Sequence, residues 1–84
     1  MIRGVVDTWL RRRAAEEILA AYFAWWQACG AVREAYRNWT TAPRATSHSA
    51  FRDYSAALER ERQAAEIYAV RARRLDHVAW AAPA

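Results

Sequence analysis

The chain of 84 residues contains one cysteine, two glycines, two prolines and no lysine. Each scarcity removes a class of protein. Because Cys29 stands alone there can be no internal disulfide, which excludes a secreted disulfide scaffold. Gly4 and Gly30 are isolated, so the chain carries no glycine-rich phosphate loop. His48 and His77 have no cysteine or carboxylate at ligand spacing, so neither a structural zinc nor any other cofactor is expected. No Ser-His-Asp or Cys-His arrangement and no pair of carboxylates on an apolar wall can be found, and an enzyme is not expected. No hydrophobic region follows Arg3 before the run Arg11-Arg12-Arg13, so no secretory signal is expected either. The most apolar stretch falls short of the roughly 20 residues a bilayer needs and has Gln27 inside it, which leads us to expect a cytoplasmic protein without a membrane span.

All thirteen basic residues are arginine. The plain reading is the coding bias of a GC-rich bacterial or phage genome. The sharper one is a choice of guanidinium for bidentate contact with phosphate or carboxylate. A net charge of +4 permits contact with nucleic acid or an anionic membrane without requiring it.

The chain is organised around Ile18–Val32, ILAAYFAWWQACGAV, in which Gln27 is the one strongly polar residue. Fifteen residues rich in Ala, Trp and other helix-compatible types are too many for a typical strand, and predict a helix. One seam reads Ile18, Tyr22, Trp25, Cys29, Val32, Tyr36, Trp39, in alternating steps of four and three, as in a coiled coil. Ala14, Ala21, Ala28 and Ala35 form a column of small side chains beside it, where a second helix can come close. A further seam, Leu19, Phe23, Trp26 and Gly30, has the same spacing on another face. One neighbouring helix covers one stripe, so this helix requires two neighbours. Gly30 costs about 1 kcal/mol relative to alanine inside a helix, which points to a close helix approach or a kink there.

Asp7 or Thr8 can cap the first helix, expected over about residues 8–39. Arg12 with Glu16 and Arg13 with Glu17 are spaced to pair along it. The segment 40–47, TTAPRATS, is a loop, since Pro43 ends a helix and disfavours helical geometry at Ala42. Thr46 or Ser47 can cap a second helix over about 48–81. Its stripe reads Phe51, Tyr54, Leu58, Glu61, Ala65, Tyr68, Ala72, Leu75, Ala79, and its remaining surface is largely charged. The expected fold is therefore all-α, a single domain over residues 1–84 built as a long antiparallel two-helix hairpin.

Folding about the loop sets Tyr36 against Tyr54, Val32 against Leu58, Trp25 against Ala64 and Ala65, Tyr22 against Tyr68, Ile18 against Ala72, and Trp9 near Trp80. Glu61 is the misfit of the second stripe. It is expected to pair with Arg33, since a general acid or base role would need a second catalytic group nearby.

Two functions follow. In the first, the hairpin self-associates, or binds a helical protein, through Leu19, Phe23, Trp26 and Gly30, giving a homodimeric four-helix bundle with a structural or adaptor role. In the second, it is a small dimeric nucleic-acid-binding regulator whose Arg11, Arg12, Arg13, Arg71, Arg73 and Arg74, gathered toward the open end, contact phosphates. Two long helices with Trp39 at the turn also resemble in outline the hairpin dimers of actinobacterial type VII secretion. The turn reads Trp39-Thr40-Thr41 in place of that family's Trp-x-Gly, and neither Tyr54 nor Tyr68 is followed four residues later by an acidic residue.

Overall fold

The computed structural model describes the backbone of residues 2–80 and the side chains of residues 3–75. Helix α1 runs over Ile2–Thr41 and helix α2 over Ser47–Trp80, joined by Ala42, Pro43 and a single 3-10 turn at Arg44–Thr46. The two helices pack on one another as an antiparallel hairpin, 66 Å in its longest dimension and 14 by 12 Å across.

α1 begins six residues earlier than expected. Thr8 does not cap it: its hydroxyl donates back to the carbonyl of Gly4 at 2.9 Å, a bond made from inside a helix. The other end stops where proline requires it. Pro43 is extended, with φ −60° and ψ 155°. The hydroxyls of Thr40 and Thr41 both donate to the carbonyl of Arg37, at 3.1 and 2.7 Å, bonding back onto the last turn from inside the helix. The expected loop thus shrinks to a sharp corner. Thr46 donates its hydroxyl to Pro43 O rather than accepting a bond at the start of α2.

The register about the corner is the one the stripes imply. Tyr36 lies against Tyr54, with ring centroids 5.5 Å apart, and Tyr22 against Tyr68 at 5.7 Å. The interface holds two aromatic clusters. Near the corner, Trp39 stacks on Tyr54 and touches Phe51 and Tyr36. Farther along, Trp25 stacks on Tyr68 at 5.7 Å and Tyr22 meets both edge-on. Each such pair contributes about 0.5–1.5 kcal/mol beyond the area it buries.

Small residues fill the interface beside the clusters. Ala21 and Ala57 are the buried hydrophobic residues among those described, at 6% and 2% exposure. Ala14, Ala28 and Ala35, the rest of the alanine column, are half-buried. Ala57 is absent from the expected stripe of α2, and its burial rotates the packing line toward Tyr54, Glu61 and Ala64. Leu58 and Phe51 are left at the margin, both exposed. Among the described residues no large side chain is fully buried.

Glu61 does not pair with Arg33. Its carboxylate accepts a hydrogen bond from the indole Nε1 of Trp25 at 2.8 Å, and the Cys29 thiol lies 3.9 Å from the same oxygen. The indole therefore spans from Glu61 to Tyr68, across the two small residues, Ala64 and Ala65, expected to face it. Arg13 and Glu17 approach to 3.6 Å, whereas Arg12 and Glu16 form no ion pair. On the outer face of α2, Arg62 bridges Glu59 and Glu66 at 2.8 and 3.2 Å. The Arg62 hydrogen bond holds the Glu59 carboxyl below its ordinary range. The expected contact of Trp9 with Trp80 lies outside the described residues.

Candidate interaction face

The second seam of α1 remains uncovered. Leu19, Phe23 and Trp26 are 55%, 52% and 59% exposed. The reason is angular: successive helical residues turn by about 100°, so Phe23 lies about 160° around α1 from Trp25, on the side away from α2. α2 cannot reach it.

The seam is longer than the sequence reading allowed. Because α1 is helical from Ile2, the same steps of four and three run back from Leu19 through Glu16 and Arg12 to Trp9 and Val5. Trp9 and Val5 are both exposed. Val5 precedes the expected helix start at residue 8, which Gly4 and the candidate caps Asp7 and Thr8 suggest, and Trp9, inside the expected helix, is expected against Trp80 instead. The signal was present in the spacing. A shallow groove lined by Gly4, Val5, Thr8, Trp9 and Arg12 opens on this part of the face. The guanidinium of Arg13 stacks on the edge of the strip, 5.3 Å from the Trp9 ring.

Gly30 ends the seam. No neighbouring helix approaches it within the hairpin: a methyl group added there would meet only the Arg33 side chain, at 3.9 Å. Close packing against α2 is therefore not the reason for this glycine, and α1 continues through it as one helix.

Of the six arginines at the open end, Arg11, Arg12, Arg13, Arg73 and Arg74 are exposed and Arg71 is half-buried. The fold brings Arg71 to the same groove as Arg13, which Glu16, Glu17 and Ala20 also line. Arg11, Arg12 and Arg13 are consecutive and project about 100° apart, so they face three directions rather than one.

Among the described residues no three metal-ligating side chains cluster, and no helix is long and apolar enough to cross a membrane. No protein-family model, no curated protein and no solved structure matches the chain.

Proposed function

We propose that the chain is a non-enzymatic interaction module that self-associates through the outer face of α1, assembling four helices from two hairpins. The observation that carries this reading is the exposure of Leu19, Phe23 and Trp26 in a hairpin whose buried hydrophobic residues, among those described, are two alanines. The solvent-accessible area points the same way. The chain exposes 6960 Å², whereas a compact monomer of its mass, 9.7 kDa, exposes roughly 5,100 Å². The excess of roughly 1,800 Å² is about twice what each side of a standard protein interface buries.

Each of the three side chains is already half-covered, so completing its burial contributes about 1–1.5 kcal/mol, or roughly 6–9 kcal/mol over two chains. Association costs about 4–15 kcal/mol. Those three residues alone sit near break-even, and Val5 and Trp9 supply the surplus. α2 needs no second neighbour, because Arg52, Asp53, Glu59, Arg60, Arg62 and Glu66 keep its outer face polar.

The test is Phe23→Asp combined with Trp26→Asp, read by analytical ultracentrifugation and far-ultraviolet circular dichroism. Both side chains project away from α2, so helicity persists while the parent dimer becomes a monomer. A double variant that sediments as the parent does overturns the reading.

A further inference from the structure

We infer that the occupant of the α1 outer face is a second copy of this chain, antiparallel to the first and centred near Ala14, with Arg12 of each copy against Glu16 of the other. The inference rests on the self-association proposed above and gives it an orientation and a register. The outer strip reads Val5, Trp9, Arg12, Glu16, Leu19, Phe23, Trp26, which is apolar at both ends and has one cation and one anion in the middle. A two-fold antiparallel pairing that sets Arg12 against Glu16 also sets Trp9 against Leu19 and Val5 against Phe23. Those four apolar side chains then meet one another, both charges meet their opposites, and Trp26 falls at the end of the overlap, opposite position 2.

Three other arrangements fail on the same residues. Parallel helices would align Arg12 with Arg12 and Glu16 with Glu16, placing like charges across the interface. An antiparallel pairing centred on Ala21 joins Leu19 to Phe23 but leaves Glu16 against Trp26. Matching Trp9 to Trp26 presses Arg12 on Phe23 and Glu16 on Leu19. Charges so placed lose water without gaining a counter-charge.

Two structural observations support the chosen register. Arg12 and Glu16 are spaced to pair along α1, yet they form no ion pair there, while the neighbouring Arg13 and Glu17 do approach one another, at 3.6 Å. The shallow groove between Gly4, Val5, Thr8, Trp9 and Arg12 is the place that this register gives to Phe23 and Leu19 of the second copy, as knobs entering a hole. The helices overlap between positions 2 and 26, about 36 Å at 1.5 Å per residue. Since the strip faces away from α2, the two α1 helices lie inside and the two α2 helices outside, in an elongated four-helix layer.

Spin labels at an exposed site off the strip test the geometry. With Cys29→Ala and Ala31→Cys, the two labelled backbones of the dimer stand about 50 Å apart in this register, about 30 Å apart if the axis passes Ala21, and under about 20 Å apart in a parallel pair. A separation near the first value supports the inference. Either shorter value, in a chain that sediments as a dimer, overturns the register and leaves self-association standing. A monomer at all accessible concentrations overturns self-association itself and the register with it. Charge exchange gives a second measurement: Arg12→Glu or Glu16→Arg alone weakens dimerisation about tenfold, and the two together restore it to within about threefold of the parent. Single variants that dimerise as the parent does, with helicity intact, overturn the pairing.

Discussion

Glu61 is the residue on which the hairpin's own stability can be tested most directly. Its carboxylate accepts the 2.8 Å bond from Trp25 Nε1 in the part-buried middle of the interface. Hydrogen bonds to charged groups contribute about 1.5–3 kcal/mol, and the partial exposure of this one places it at the lower end. Glu61→Ala removes the acceptor, leaves the indole N–H facing a gap, and should cost about 2 kcal/mol. Glu61→Gln keeps an acceptor without its charge and should lose about half as much. Replacing both groups, as Glu61→Leu with Trp25→Phe, leaves no unpaired polar atom and should be close to neutral, because the penalty belongs to the orphaned donor. The measurement is urea unfolding followed by circular dichroism, with all variants at one protein concentration so that the linkage to assembly is constant. For a chain of this size, whose core supplies about 3–5 kcal/mol, a loss of 2 kcal/mol moves the midpoint well beyond error. If Glu61→Ala falls within about 0.5 kcal/mol of the parent, as a surface substitution would, the bond does not stabilise the hairpin and the reasoning fails. The same holds if the double apolar variant is the least stable of the series.

Gly30→Ala should stabilise the hairpin by about 1 kcal/mol, the ordinary cost of glycine inside a helix, since the added methyl group has open space around it. In the register centred near Ala14, Gly30 lies outside the paired strip, so the same variant should dimerise as the parent does in sedimentation; a weakened dimer would move the interface toward the corner. Random duplex DNA at low salt should not be retarded by the protein in a gel, because Arg11, Arg12 and Arg13 face different directions and Glu16 and Glu17 line the groove that Arg13 and Arg71 share. Salt-sensitive retardation, lost on replacing Arg73 and Arg74, would favour the nucleic-acid reading instead.

The helices and their mutual register could be read from the sequence because they depend on spacing. A four-three repeat of large apolar residues determines which side of a helix is hidden wherever the helix begins, and a proline in a polar segment marks the corner. Tyr36 with Tyr54 and Tyr22 with Tyr68 follow from those two facts alone. The same argument identified Leu19, Phe23 and Trp26 as a face that α2 does not cover. It missed Val5 because helix starts are set by weak local preferences at Gly4, Asp7 and Thr8, which the continuous helix overrides, and it left Trp9 off this face by assigning it to Trp80.

What the sequence determined, then, is that α1 has two apolar faces and α2 one. Periodicity is a property of the chain and survives any detail of packing. Only the tertiary structure decided that Ala57 rather than Leu58 is buried, that Glu61 bonds to an indole instead of pairing with Arg33, and that Gly30 touches no neighbouring helix. Those outcomes depend on the rotation of each helix about its axis and on the reach of particular side chains, and a shift of a few tens of degrees exchanges one neighbour for another without changing the repeat.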